Sequence, residues 1–97
     1  MQLPKGAPVQ NIMIWLHTDD YDKWQKIHDG YAEERKGYGI VDDFVYRDVR
    51  DPQAALVHLV VEDVPRAQAW FQTDEFKNGT AAAKVTDRKI YIAEQRV

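Results

Sequence analysis

The stretch that most constrains the fold is a run of five large apolar residues, Ile12 to Leu16, which leads almost directly into a helix start. In an extended strand successive side chains point to opposite faces. One face of this run therefore carries two isoleucines and a leucine, and the other carries Met13 and Trp15. Because neither face is polar, the run is typical of a strand that is covered on both sides.

A helix is predicted immediately after this strand. The polar residues Thr18, Asp19 and Asp20 are N-cap candidates, and carboxylates near a helix start are favoured by the helix dipole. Gly37 and Gly39 follow at the expected end, where glycine adopts a left-handed cap without a Cβ clash. Between these points, residues at spacings of three and four form one apolar and aromatic stripe: Tyr21, Trp24, Ile27, His28 and Tyr31.

The rest of the chain divides into two strands, a helical region and a last strand. A turn joins the first two strands into a hairpin, and Asp63 with Pro65 marks the second helix start. The predicted segments are strands at Ile40–Val49 and Ala55–Val61, a helix from Asp63 to about Thr73, further helical turns at Glu75–Ala83, and a strand at Lys89–Glu94.

The resulting order is strand, helix, strand, strand, helix, strand. This order predicts an α+β, ferredoxin-like βαββαβ domain, with a four-stranded antiparallel sheet and two helices on one face. Residues 11–97 are predicted to form this single domain, and residues 1–10 an extended arm rich in proline and glycine. No segment remains to cover the other face of the sheet, so we expect two sheets to pack face to face in a homodimer.

The amino-acid composition excludes several classes of function. The chain has no cysteine, which excludes disulfides, thiolate catalysis and iron–sulfur sites. Its net charge of -3, with interleaved signs, gives no basic stripe for nucleic acid. No apolar run is long enough for a membrane span and no signal peptide is recognisable, so a cytoplasmic protein is expected. The three histidines lie on separate elements without short-range ligand spacing, so neither a metal nor another cofactor is expected.

One set of residues is informative through its order and spacing along the chain: His17 to Trp24, Asp29, Arg35, Gly37, Arg47-Asp48 ahead of Asp51-Pro52, and Asp63 with Arg66-Ala67. In this order and spacing these residues resemble the small dimeric α/β-barrel proteins related to antibiotic-biosynthesis monooxygenases. The resemblance implies a ferredoxin-like protomer, a dimer that closes a barrel from two sheets, and a pocket between sheet and helices in each protomer. It also implies cofactor-free oxygenation of aromatic polyketides or quinols, lactone isomerisation or cyclisation, or haem degradation.

Two histidines are candidates for a general base. His17 ends an apolar strand beside an acidic pair, where it could act as base or hydrogen-bond to a substrate; the alternative is a structural histidine bound to a carboxylate or backbone group. His28 shares a helix face with Trp24 and Tyr31, so His28 and Tyr31 could bind and deprotonate a phenolic substrate. The alternative for this face is an amphipathic edge of the core, with polar tips reaching solvent.

Four other residues are candidates for substrate binding. His58 interrupts an apolar strand and points either into the helix-side pocket or into the dimer barrel; strand parity alone leaves both open. Trp24 and Trp70 could stack on a planar ligand or simply fill the core. Arg35 could pair with a substrate carboxylate, or merely complement the dipole at a helix C-terminus.

These patterns predict a homodimeric α/β-barrel protein whose pocket accepts a small aromatic or apolar metabolite. The sharper hypothesis is a cofactor-independent monooxygenase, isomerase or cyclase. The first alternative is a non-catalytic ligand-binding or structural dimer. The second is a haem- or metal-binding protein, although the second helix lacks the histidine that the haem-degrading relatives use.

Overall fold

The computed structural model describes residues 10–94, which form four strands and four helices. In chain order these are β1 Gln10–Thr18, α1 Tyr21–Gly30, α2 Ala32–Gly37, β2 Ile40–Arg47, β3 Ala54–Val61, α3 Val64–Trp70, α4 Asp74–Ala82 and β4 Val85–Ala93. The predicted arm, residues 1–10, lies outside the described residues except for Gln10, which begins β1. No helix in the described part is long and apolar enough to cross a membrane.

The strands form one antiparallel sheet in the order β2-β3-β1-β4. The helices cover one face, which we call the helix side; the other we call the open face. This arrangement confirms the predicted ferredoxin-like fold. The core lies on the helix side, where side chains of β1 and β3 pack against helical residues: Ile12, Ile14, Leu16, Val57, Leu59, Val61, Trp24, Ala67 and Trp70.

The first predicted helix is divided into two at Tyr31, whose backbone N–H donates to the carbonyl of His28 instead of continuing the α-helical pattern. Gly30 precedes the break, and glycine has the weakest helix propensity after proline. The second helical region forms two segments as predicted: α3 ends at Trp70, and α4 starts after Thr73, whose hydroxyl accepts from the N–H of Phe76.

The last strand begins four residues earlier than predicted, at Val85 instead of Lys89. The intervening residues are mostly polar, so their alternation with apolar residues is hidden in the sequence. In the structure they pair with the end of β1, where Leu16 lies opposite Arg88 and His17 opposite Asp87. Pairing with a buried neighbouring strand therefore extends β4 where local preference did not indicate it.

A bulge in β2 decides which of its side chains face the helices. Ile40 pairs with Val61 and Asp42 with Val60, so Val41 is an extra residue between them. Without it, Ile40 and Asp43 would point to opposite faces, because strand side chains alternate. With the bulge both face the helix side, and Asp43 is carried beneath the first helical region.

Candidate functional site

A pocket of about 70 Å³ lies between the helix side of the sheet and the helices. The sheet supplies its apolar floor, including Leu16 and Val57, and the helices supply aromatic and polar walls. The predicted site residues that line it are Trp24, His28, Tyr31, Arg35 and Trp70. The fold thus brings together five of the seven residues selected from the sequence.

The polar wall of the pocket is one connected network. Nε2 of His28 lies 2.7 Å from Oδ2 of Asp43, and Nη2 of Arg35 donates to the same oxygen at 2.7 Å. The other terminal nitrogen of Arg35 donates to the backbone carbonyl of His28 at 2.6 Å. Arg35 therefore fixes both the carboxylate that holds the imidazole ring and the backbone from which that ring projects.

Within this network the neighbouring charges favour the ionised forms of Asp43 and Arg35. Burial raises the pKa of Asp43, but the hydrogen bonds and charges of His28 and Arg35 outweigh it, so the pKa lies below its ordinary value. Burial also lowers the pKa of Arg35, and the neighbouring Asp43 opposes that effect. Asp43 is accordingly an ionised carboxylate at neutral pH, and an ionised carboxylate only accepts hydrogen bonds.

The ionised state of Asp43 determines the tautomer of His28. Since Oδ2 of Asp43 must accept, Nε2 of His28 carries a hydrogen, and Nδ1 is the ring nitrogen that remains for proton exchange with a bound molecule. The second carboxylate oxygen of Asp43, Oδ1, is the one buried side-chain N or O atom within residues 10–94 without a hydrogen-bond partner. Asp43 is thus held by two strong bonds on one oxygen alone.

Aromatic rings form the other walls. Trp24 stacks on the His28 ring with centroids 5.0 Å apart. The rings of Trp70 and Tyr31 also contact each other, with centroids 5.4 Å apart. Gly79 allows α4 to approach α1 closely, because a Cβ there would lie 3.2 Å from the Tyr31 ring. The site therefore offers planar apolar surfaces next to an oriented imidazole and a phenol.

The remaining two predicted residues lie on the open face. Nδ1 of His17 is 2.8 Å from the Thr86 hydroxyl, and Nε2 is 3.6 Å from Asp51. His58 pairs across the sheet with Met13 and donates through Nε2 to the Asn11 amide oxygen at 2.7 Å. The register thus settles the direction of His58, and the structure does not bring these two histidines to His28.

Three residues of the site were not predicted from the sequence: Asp43, Phe76 and Arg88. Strand alternation places Asp43 on the face opposite Phe44 and Tyr46, but only the pairing of β2 with β3 shows that this is the helix side. Arg88 stands opposite Leu16 on β4 and was hidden by the late predicted start of that strand. Within residues 10–94 no group of three His, Asp or Glu side chains is arranged to hold a metal ion.

The fold and pocket define a small ferredoxin-like α+β protein with an aromatic cavity between sheet and helices. No protein-family model and no curated protein matches the sequence. Among solved structures, a Pseudomonas aeruginosa protein superimposes with a TM-score of 0.74 at 10% identity, over 97% of this chain and 100% of that one.

Two further solved structures carry functional descriptions. An antibiotic biosynthesis monooxygenase gives a TM-score of 0.73 at 10% identity, over 91% of this chain and 99% of that one. SnoaB, a cofactor-independent oxygenase from Streptomyces nogalater, gives 0.72 at 11% identity, over 92% of this chain and 93% of that one. At such low identity the likeness shows the fold, and at that level the predicted resemblance is confirmed.

Proposed function

We propose that this protein is a cofactor-independent enzyme, a monooxygenase or a related isomerase or cyclase, acting on a small phenolic or quinol-like metabolite. The observation that carries the proposal is the His28–Asp43–Arg35 network on the wall of an aromatic pocket. An imidazole oriented by a partly buried carboxylate is well placed to act as a general base. The fold shared with SnoaB, a cofactor-independent oxygenase, supports the same class of chemistry.

In the proposed mechanism the substrate ring lies against Trp24 and Trp70, and the Tyr31 hydroxyl hydrogen-bonds to a substrate oxygen. Nδ1 of His28 takes the proton of a phenolic hydroxyl, and Asp43 stabilises the imidazolium that forms. The resulting phenolate is electron-rich at its ring carbons, which is what direct reaction with O₂ requires. The same proton transfer would begin an isomerisation or cyclisation.

Replacing His28 with glutamine is expected to lower turnover of quinols about 10²- to 10⁴-fold, which is the usual contribution of a general base. Oxygen consumption and product formation should be measured over a panel of hydroquinones and naphthols. His17→Gln is the matched control, since His17 lies on the open face. Unchanged turnover in His28→Gln would remove this residue as the base and favour the predicted role of His17.

Two alternatives have separate outcomes. A wild-type protein that binds phenols in the pocket without any turnover would be the non-catalytic binding protein of the first alternative. The inner pocket of about 70 Å³ is by itself too small for haem, and residues 63–83 supply no histidine to ligate a haem iron. A Soret band after haem titration would nevertheless support the haem hypothesis over the enzyme proposed here.

We also propose that the open face packs against a second copy of the chain. This face carries large side chains that a single copy leaves exposed, including Tyr46 at 54%, Tyr91 at 55% and Leu56 at 38%. Contiguous exposed apolar patches of this kind mark interaction sites. Two such faces, related by a two-fold axis, would bury each other and form the predicted barrel.

Light scattering at micromolar concentration is expected to give twice the chain mass of 11.3 kDa. Leu56→Glu places a charge within the open face and is expected to shift the mass to that of one chain, because an unpaired charge is costly to bury. Val49→Glu is the control, since Val49 is 98% exposed and lies in the turn after β2. A monomeric wild type would contradict the dimer.

A further inference from the structure

A second cavity adjoins the pocket. It is an open groove of about 660 Å³ between α3 and the helix side of β4. Ile12 lies at its floor, Ile90 and Ile92 lie along β4, and the amide side chains of Gln68 and Gln72 stand on the α3 side. Ile90 and Ile92 belong to the helix side of the sheet, yet they are 40% and 48% exposed because none of the helices in residues 10–94 covers this edge.

Pocket and groove share two lining residues, Phe71 and Arg88. The Arg88 guanidinium lies 4.7 Å over the ring centre of Phe76, and its one hydrogen bond within the described residues is a long one, 3.4 Å, to the Thr80 hydroxyl. Within residues 10–94 no carboxylate lies within 4.0 Å of it. Arg35, by contrast, is fully engaged by Asp43 and by a backbone carbonyl.

The inner pocket is much smaller than the groove, and this limits how much of a ligand the pocket can hold. Pockets that enclose a whole small-molecule ligand usually measure roughly 300 to 1,000 Å³. At about 70 Å³ the inner pocket accepts little more than one ring. A larger ligand must therefore extend out of the pocket, and on the side of Arg88 it enters the groove.

We propose that the pocket and the groove bind one amphiphilic ligand, which is an aromatic ring bearing an ionised oxygen group and an apolar chain. The ring occupies the pocket, the anionic group pairs with Arg88, and the chain lies along Ile90 and Ile92. A guanidinium without a carboxylate partner is suited to bind a carboxylate or phenolate. This inference rests on the proposed function, because it assigns the substrate class of the same site.

The test uses salicylate and its 6-pentyl and 6-octyl derivatives, below their critical micelle concentrations, with titration calorimetry on the full chain. Burying one methylene is worth about a threefold to fourfold gain in affinity. The pentyl chain is therefore expected to tighten binding at least about tenfold, even when it is only partly buried. Amide NMR shifts on binding are expected at Ile90 and Ile92 with the alkylated ligands and not with salicylate.

Two sets of variants test the contribution of the ligand's apolar chain and that of its anionic group separately. The double change Ile90→Thr and Ile92→Thr should reduce the gain from the pentyl chain to less than about threefold, with unchanged affinity for salicylate. Arg88→Gln should weaken every salicylate about tenfold or more and leave the neutral salicylamide unaffected. Val49→Thr, a matched change at an exposed valine outside the groove, is the control. Melting curves should establish that each variant is folded.

The outcomes distinguish this inference from the proposed function. Wild-type protein that turns over quinols or binds salicylate, but gains nothing from the pentyl or octyl chain, overturns the groove assignment alone. A gain that persists in the double variant does the same. If Arg88→Gln loses equal affinity for salicylate and for salicylamide, the proposed pairing of the anionic group with Arg88 is overturned. Absence of both quinol turnover and salicylate binding in the wild type overturns the proposed function, and this inference with it.

Discussion

Asp43→Asn is expected to destabilise the protein by about 3 kcal/mol, because it leaves the buried Arg35 guanidinium without a counter-charge. The Arg35 side chain is only 6% exposed, and Asp43 is its one carboxylate partner within residues 10–94. The same change removes the acceptor that orients His28, so turnover should also fall about 10²- to 10⁴-fold. Urea unfolding followed by circular dichroism, together with quinol turnover, measures both effects.

The neighbouring residue supplies the control for Asp43. Asp42 is exposed, and within residues 10–94 its carboxylate accepts one hydrogen bond, from the N–H of Asp43 at 2.9 Å. An amide oxygen can accept the same bond, so Asp42→Asn should change stability by no more than about 0.5 kcal/mol. Equal effects of the two substitutions would contradict the role assigned to the network.

Stability should also depend on pH through Asp43. Because the folded state lowers the pKa of this carboxyl, its contribution is complete above the ordinary value of about 4 and is lost as pH falls through the lower folded value. The difference in unfolding free energy between wild type and Asp43→Asn should therefore narrow as pH falls from about 5 to 3. A difference that stays constant over this range would contradict the assignment.

Trp70→Ala is expected to cost about 3 to 5 kcal/mol. Trp70 is 4% exposed, and three aromatic rings surround it. The distances from its ring centroid to theirs are 5.4 Å for Tyr31, 5.6 Å for Tyr38 and 5.9 Å for Phe76. Removing it leaves a cavity between the helices and the sheet. Since small domains have only about 5 to 15 kcal/mol of stability, much of the protein should unfold at moderate temperature.

Circular dichroism should monitor this unfolding, because the substitution removes a tryptophan fluorophore. Trp70→Phe is the control: it keeps an aromatic ring against Tyr31 and Phe76, so its loss should be less than half that of alanine. Similar losses for both variants would show that the indole ring as a whole, and not the apolar volume, stabilises this position.

The sequence predicted the elements because each was specified locally. Ile12 to Leu16 indicates a buried strand by itself, and Asp20 and Asp63 mark helix starts that their N-cap hydrogen bonds confirm. The same local reasoning failed at Tyr31, where a continuous stripe conceals a break, and at Val85, where polar residues conceal a strand. In both places backbone hydrogen bonds or strand pairing overrode a weak local preference.

The sequence by itself determined the fold class and the helix-side residues of the site, since His28, Tyr31 and Trp24 share a face through helical spacing alone. Only the tertiary structure decided the partners of those residues. The bulge at Val41 turned Asp43 toward His28, and the register of β3 turned His58 to the open face. The physical reason is that strand side chains alternate with a period of two, so a shift of one residue reverses every later side chain.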